Sequence, residues 1–105
     1  MDLTSKIILV TGGGSGIGFE LTRQLVALGN TVVICGRDAV RLAEAARLTG
    51  AQPITGDVTV ADDQERILSA IREQHGRLDL LINNAGIFLA YDFRSDPDAL
   101  QKIEA

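Results

Sequence analysis

The chain has few of the residues that bind metals or form disulfide bridges: it contains one cysteine, Cys35, and one histidine, His75. A lone cysteine excludes an internal disulfide and suits a reducing compartment. One cysteine with one histidine is too few for a structural zinc site. We therefore expect a cytoplasmic protein without a metal, in which Cys35 is an inert thiol in a buried strand and His75 complements the end of a helix.

Long hydrophobic runs and an excess of positive charge are also missing. No stretch approaches the ~18 apolar residues of a membrane span, and Met1-Asp2 opens no basic and then apolar leader. Lys and Arg number 10 against 14 Asp and Glu, so the net charge is −4 and the pI is near 4.8. This balance disfavours a general nucleic-acid surface. The chain is predicted to be one soluble domain with neither a membrane nor a nucleic acid as partner.

The chain does contain short apolar runs that predict strands, at residues 7–10, 31–35 and 78–82. None of them alternates with period two, which is typical of strands buried on both faces of a parallel sheet. A weaker run at 51–55 includes Pro53, which cannot donate to a ladder and so suits an edge strand.

Helical patterns lie between these runs. The first stops at Gly29, the second is predicted to start after Asp38 as N-cap, and the third to end at Gly76. Thr59 and Asp62 form a capping box at the start of the third helix. The residues predicted to point inward are Ile17, Leu21, Leu25 and Leu28 in the first helix, Leu42, Ala43 and Ala46 in the second, and Ile67, Leu68 and Ile71 in the third.

The alternation of strands and helices predicts an α/β fold: a Rossmann-like doubly wound parallel sheet of four strands, in the order 3-2-1-4, with flanking helices. A ligand is then expected at the carboxyl ends of strands one and four. Asp96-Pro97 is a good helix start, but the chain stops shortly after it, and the strand at 78–82 is left as an apolar sheet edge. We therefore expect residues 1–105 to be an incomplete, truncated domain that self-associates or pairs with a missing C-terminal half.

Residues 11–18, Thr-Gly-Gly-Gly-Ser-Gly-Ile-Gly, form a glycine-rich turn between the first strand and the first helix. Unpaired N–H groups of a first helical turn and the helix dipole attract phosphate, and glycines let a pyrophosphate approach closely. The spacing does not fit G-x-G-x-x-G, and Phe19-Glu20 stands where a P-loop has Lys-Ser or Lys-Thr. On this turn alone, a flexible loop stays open as an alternative.

Four motifs together carry a family resemblance. They are the turn at 11–18, which reads T-G-x-x-x-G-x-G, then Gly36-Arg37, Asp57-Val58 and Asn83-Asn84-Ala85-Gly86, each after a predicted strand. From about residue 6 onward the chain resembles the cofactor-binding half of the short-chain dehydrogenases/reductases. The resemblance implies an oxidoreductase that binds a nicotinamide dinucleotide and transfers a hydride to or from a carbonyl or alcohol carbon.

The resemblance also implies a set of cofactor-binding residues. Those in the turn would lie against the adenosine ribose and the pyrophosphate: Gly12, Ser15, Gly16, Ile17 and Gly18. Ser15 would offer its hydroxyl and Ile17 its backbone N–H, whereas Gly18 would let the helix pack closely on the sheet.

After the later strands, Asp57 would accept the adenine amino group, and Val58 would add a backbone contact and an apolar flank. Asn83, Ala85 and Gly86 would line the ribose on the nicotinamide side. Two of these residues have simpler alternatives. Asp57 could only cap the third helix, and the Asn83 amide could brace the fourth strand against its neighbour.

Arg37 predicts which dinucleotide is bound. An acidic residue at the end of the second strand would bind the ribose hydroxyls of NAD and repel a 2′-phosphate. Gly36 stands there instead, followed by a cation that can pair a phosphate, so we expect NADP rather than NAD. Alternatively, Arg37 is only solvated, or is partly neutralised by Asp38. The turn also lacks the second basic residue common in NADP-preferring relatives, since Gly14 occupies its place.

No catalytic residue is expected in this chain. The family's chemistry needs a Tyr-x-x-x-Lys pair and a serine that orients the substrate oxygen, but the only tyrosine is Tyr91, and Ser95 replaces the lysine. We therefore predict the cofactor half of an NADP-dependent oxidoreductase, inactive by itself. A non-catalytic NADP-binding or regulatory module and an assembly-only remnant stay open as alternatives.

Overall fold

The computed structural model describes residues 3–84, which form an open parallel sheet with helices on both faces. The elements in chain order are β1 (Ile7–Thr11), α1 (Gly16–Ala27), β2 (Thr31–Gly36), α2 (Ala39–Thr49), β3 (Gln52–Thr55), α3 (Ala61–His75) and β4 (Leu80–Asn83). The strands are ordered β3-β2-β1-β4, and all neighbours are parallel. The predicted Rossmann-like fold and its strand order are confirmed, while Tyr91 and the helix start at Asp96-Pro97 lie outside the described residues.

The strand β1 is central in the sheet and buried along its whole length, as its unbroken apolar run predicts. Its side chains alternate between the two faces: Ile7 and Leu9 pack in the cluster covered by α3, whereas Ile8 and Val10 pack in the cluster covered by α1 and α2. The strands β3 and β4 form the two edges of the sheet, and Pro53 of β3 pairs in register with Ile34 of β2. The helices therefore cover both faces of the sheet, and the proline is on an edge strand as predicted.

The helix α1 buries a different face from the predicted one. Its buried residues are Gly18, Thr22 and Leu25, whereas Ile17 is 79% exposed and Leu28 is 52% exposed. The prediction that Ile17 and Leu28 point inward is wrong because α1 contacts the sheet through Gly18. A hydrophobicity pattern does not register such a contact, since glycine contributes no apolar side chain.

The N-terminus of α2 is capped as predicted. Asp38 Oδ1 accepts hydrogen bonds of 3.1 Å from the backbone N–H groups of Val40 and Arg41. The predicted inward face is wrong at one position, since Ala43 is exposed and Ala45 is buried. The observed buried set, Leu42, Ala45, Ala46 and Thr49, has the i, i+3, i+4, i+7 spacing of one helix face.

The predicted capping box of α3 is wrong. The N-cap is Val60, and no side chain caps the helix. The Thr59 hydroxyl donates instead to Asp57 Oδ1 over 2.6 Å, and Asp63 Oδ2 accepts the Asp57 backbone N–H over 2.8 Å. Thr59 lies one residue before the N-cap, and its side chain caps no helix. The predicted inward face is confirmed, with Ile67, Leu68 and Ile71 all buried.

Cys35 and His75 occupy the structural positions predicted for them. Cys35 is fully buried in the cluster under α3, and burial raises the pKa of its thiol to about 12. His75 is the last residue of α3, its Nε2 lies 3.1 Å from Gln52 Oε1, and Gly76 follows as a left-handed C-cap with φ 79°. Within residues 3–84, no helix is long and apolar enough to cross a membrane.

Candidate functional site at the carboxyl edge of the sheet

The carboxyl ends of all four strands meet at one edge of the sheet. Thr11 pairs in register with Cys35 on one side and with Asn83 on the other, and Gly36 pairs with Thr55. The segments that follow the strands therefore emerge side by side, and we call this the carboxyl edge. Open α/β sheets bind their ligands there.

The glycine turn after β1 adopts conformations that favour glycine. Gly12 and Gly16 have φ values of 68° and 59°, in the left-handed region that other residues rarely adopt. The Gly12 N–H donates to the Cys35 carbonyl oxygen over 3.0 Å, so the turn continues the ladder from β1. A Cβ added to Gly16 would have no neighbour within 4 Å, so the outer side of the turn is open.

The contact between α1 and the turn explains why residue 18 is a glycine. A Cβ on Gly18 would lie 2.2 Å from the Gly12 carbonyl oxygen and 2.7 Å from Asn84 Nδ2. No side chain fits at such distances. The predicted packing role of Gly18 is confirmed, and the contact fixes the start of α1 directly above the end of β1.

The N-terminus of α1 has no cap from a side chain. Ser15 is the N-cap residue in extended conformation, its hydroxyl makes no capping hydrogen bond, and the first turn contains no acidic residue. Ser15, Gly16 and Ile17 are all exposed. The first N–H groups of a helix have no partner within the helix, so those of α1 and the Ser15 hydroxyl are available to an anion.

Arg37 follows β2 at the carboxyl edge and is exposed. The Asp38 carboxylate accepts from the first turn of α2, and the ion pairs found among residues 3–84 include none between Asp38 and Arg37. The alternative that Asp38 neutralises Arg37 through an ion pair therefore finds no support. The Arg37 charge acts toward β3 instead, where it helps to lower the pKa of Asp57.

Asp57 closes a turn of its own rather than capping α3. Its Oδ1 accepts from the Thr59 hydroxyl over 2.6 Å and from the Thr59 N–H over 2.9 Å. These two bonds are the main cause of the lowered pKa of Asp57, and Arg37 adds a smaller effect. Asp57 Oδ2 accepts none of the hydrogen bonds described for residues 3–84, so one carboxylate oxygen stays open.

Val58 turns its side chain inward. It is 8% exposed and belongs to the core cluster under α3, and its carbonyl oxygen accepts from Gln64 Nε2 over 2.5 Å. The apolar flank expected from its side chain therefore packs in the core.

Two consecutive asparagines tie β4 to β1 and its turn. Asn83 Oδ1 accepts from the Thr11 hydroxyl over 2.9 Å, which confirms the bracing alternative for Asn83. Asn84 Nδ2 donates to the Gly12 carbonyl oxygen over 3.3 Å, a role that sequence reasoning missed although Asn84 stands within the quoted motif. Ala85 and Gly86 lie outside the described residues.

Gly13 is a further residue whose role was missed. A Cβ there would lie 2.4 Å from Ile34 Cγ2, whereas a Cβ on Gly14 would lie 3.6 Å from its nearest neighbour, Arg41 Cγ. Gly13 therefore packs directly against Ile34 of β2 and leaves no space for a Cβ, whereas a Cβ on Gly14 would make only ordinary van der Waals contacts. No signal within a run of three glycines distinguishes these two positions.

The parallel sheet, the glycine turn and the uncapped helix start define a Rossmann-like domain whose carboxyl edge is a candidate anion site. The profile of the short chain dehydrogenase family matches residues 6–103, and the chain belongs to this family.

Relatives from several organisms resemble the chain over part of their length. It is 39% identical to the uncharacterized oxidoreductase DltE of Bacillus subtilis over 101 residues, which are 95% of this chain and 40% of that protein. It is 42% identical to the L-fucose dehydrogenase of Bos taurus over 82 residues, 77% of this chain and 30% of that protein. The chain thus spans well under half of these relatives.

Solved structures agree with the fold. A short-chain type dehydrogenase/reductase from Mycobacterium ulcerans superposes with a TM-score of 0.76 at 33% identity, over 80% of this chain and 34% of that one. An NADP active-site complex of RhlG from Pseudomonas aeruginosa superposes with a TM-score of 0.75 at 38% identity, over 82% of this chain and 36% of that one.

Proposed function

We propose that this chain is the cofactor-binding half of an NADP-dependent oxidoreductase. The observation that carries the proposal is an uncapped helix N-terminus, which suits a pyrophosphate, together with the end of β2, where Gly36 replaces the acid of NAD-binding domains and the cation Arg37 follows. A bound NADP would supply the hydride acceptor or donor, since no side chain provides that chemistry.

The glycine turn would hold the pyrophosphate. Ser15 would donate its hydroxyl, and the N–H groups at Gly16 and Ile17 would donate along the helix axis, where the dipole favours negative charge. Gly12 would contribute by its lack of a side chain, because the phosphate must approach the backbone closely, and Gly18 would hold the start of α1 against the turn. The fit is supported by the open space over Gly16.

The adenosine half would lie over the ends of β2 and β3. Arg37 would pair the 2′-phosphate through its guanidinium, and Asp57 would accept the adenine amino group at Oδ2, the oxygen that Thr59 leaves open. Val58 would contribute its backbone N–H. On the nicotinamide side, Asn83, Ala85 and Gly86 would line the ribose, with Asn83 held in place by Thr11.

We further propose that these residues transfer no hydride by themselves. The general acid/base of the family is a tyrosine beside a lysine, and Tyr91 is followed at the required spacing by Ser95. The substrate and the proton transfer would be handled by chain that these residues do not include. A dehydrogenase assay of the purified chain with NADPH and a panel of ketones should give no turnover.

The outer edge of β4 is the surface where we propose that a partner pairs with the sheet. Among the described strands, β4 pairs only with β1, so the other side of Leu80–Asn83 has no partner strand within residues 3–84. An unpaired strand edge can pair with a further strand. We propose that a second copy or a C-terminal half covers this edge. If a second copy covers the edge, light scattering should show an average molar mass that rises with protein concentration. A chain that stays monomeric at high concentration would rule out the second copy.

The test of the nucleotide proposal is Arg37→Ala, measured by titration calorimetry with NADPH and NADH. We expect NADPH binding to weaken by about fivefold or more, because a charge-assisted bond is lost, and NADH binding to stay within about twofold. Arg47→Ala is the matched control, because Arg47 is an exposed arginine paired with Glu44 on α2. Equal loss of both dinucleotides would refute the 2′-phosphate role of Arg37.

A further inference from the structure

The arginines of the described chain divide into two groups. Five have polar partners: Arg23, Arg47, Arg66 and Arg77 pair with carboxylates, and Arg72 is also engaged. The guanidinium groups of Arg37 and Arg41 take part in none of the hydrogen bonds or ion pairs found among residues 3–84. Both of these arginines lie at the carboxyl edge, one just after β2 and the other in the first turn of α2.

The side chain of Arg41 runs over the glycine turn. A Cβ on Gly14 would lie 3.6 Å from Arg41 Cγ and 3.9 Å from Arg41 Cδ. Leu42 Cδ1 lies 3.8 Å from the same point and 3.6 Å from a Cβ built on Gly36. Leu42 at the start of α2 therefore packs on Gly14 and Gly36 together, and the stem of Arg41 lies beside Gly14 of the turn.

No carboxylate among residues 3–84 forms an ion pair with Arg41. The neighbouring acid is Asp38, and its Oδ1 already accepts two backbone N–H groups of α2. Residue 36, where an acid would repel a 2′-phosphate, is a glycine. A doubly charged phosphate beside Arg37 would therefore meet a second free cation and no opposing carboxylate at residue 36.

We propose that Arg41 supplies the second cation of the 2′-phosphate site, from α2 instead of from the glycine turn. Gly14 leaves room for the Arg41 stem at the place where a basic residue of the turn would otherwise start. Arg41 is thus a residue that determines the preference for NADP over NAD. This role depends on the proposed NADP binding.

The test uses the full chain and two probes that avoid the nicotinamide half, adenosine 2′,5′-bisphosphate and 5′-AMP. Arg41→Met keeps the stem over Gly14 and removes the charge. We expect it to weaken bisphosphate binding by about fivefold to tenfold, as for a phosphate contact by arginine, with 5′-AMP within about twofold. Arg47→Met is the matched control and should change neither affinity, because Arg47 lies further along α2 beside Glu44.

A rescue variant separates charge from structure. Gly14→Arg in the Arg41→Met background puts a cation back from the turn, and Gly14 has ordinary space for a Cβ. We expect bisphosphate binding to recover to within about threefold of the parent chain, since the phosphate responds to charge at that place.

Each outcome decides a different point. If the parent chain binds bisphosphate no better than 5′-AMP, the proposed NADP function fails, and the role of Arg41 with it. If the parent chain prefers bisphosphate and Arg37→Ala abolishes the preference but Arg41→Met does not, the Arg41 proposal alone is overturned. Equal weakening of both probes by Arg41→Met would also overturn it.

Discussion

The N-termini of α1 and α2 lie at the same edge of the sheet but are completed differently. At α2, the Asp38 carboxylate accepts the N–H groups of Val40 and Arg41. At α1, Ser15 makes no capping bond and the first turn holds no acid. The start of α3 lacks a side-chain cap as well, but its first turn contains Asp62 and Asp63. Of these three helices, only α1 presents an uncompensated positive dipole end.

This difference shows where the chain lacks a stabilising hydrogen bond. A side-chain cap contributes about 0.5–2 kcal/mol to a helix, and α1 forgoes it although serine is a good capping residue. A ligand phosphate would supply the missing acceptor. The helix without a cap is thus the one that follows the glycine turn, whereas the capped helix α2 carries Arg41 and begins just after Arg37.

The largest effect on this comparison is expected from Gly18→Ala. Its Cβ would overlap the Gly12 carbonyl oxygen at 2.2 Å, so α1 must move off β1 or the turn must open. We expect a loss of about 3 kcal/mol in the free energy of unfolding, measured by urea denaturation, together with loss of dinucleotide binding. Gly14→Ala is the control in the same turn and should cost less than about 0.5 kcal/mol. Similar costs for both would contradict the contact.

A smaller change, Ser15→Asp, should make α1 resemble α2. A carboxylate at the N-cap position accepts the free N–H groups, so we expect the free energy of unfolding to rise by about 0.5–1 kcal/mol. NADPH affinity should fall by about tenfold or more, because the carboxylate takes the place and the charge of the phosphate. Thermal unfolding and calorimetry measure the two effects. Ser15→Ala should leave stability unchanged, and a tighter NADPH complex in Ser15→Asp would refute the proposed pyrophosphate site.

The strands and their order were predictable because burial on both faces makes a parallel strand a continuous apolar run. The runs at β1 and β2 are fully apolar at their centres and were predicted to within a residue at their ends. The edge position of β3 was predictable from Pro53 alone, because proline has no N–H to donate.

The helix faces and caps were predicted less well, for reasons that lie in tertiary contacts. The inward face of α1 is set by the close contact at Gly18. In α2, residues 43 and 45 are both alanines, so a hydrophobicity pattern cannot tell which of them is buried. The capping box failed because α3 begins one residue later than predicted, with Val60 and not Thr59 as its N-cap. In the site, Arg41 gave no local signal, since its contact with Gly14 joins two segments that are distant in sequence.

The smallest predicted effect concerns the turn at Asp57, which leaves one carboxylate oxygen open beside Arg37. Hydrogen bonds from Thr59 lower the pKa of Asp57 below its ordinary value of 3.8. A lowered pKa stabilises the folded state at pH values above 3.8, and the contribution is lost as the pH falls through the lower, folded value. Asp57→Asn should therefore be slightly less stable than the parent chain at neutral pH, with the difference shrinking in acid.

Urea denaturation at several pH values measures this difference between the two chains. Thr59→Val is the matched control, because it removes the bond from the hydroxyl, which is the largest cause of the lowered pKa. In the Thr59→Val background, Asp57→Asn should still change stability with pH, but by less than in the parent chain. A difference between the parent chain and Asp57→Asn that stays constant from neutral to acidic pH would show that the Asp57 charge is unimportant. The bonds from Thr59 would then stabilise the turn without any contribution from the ionisation of Asp57.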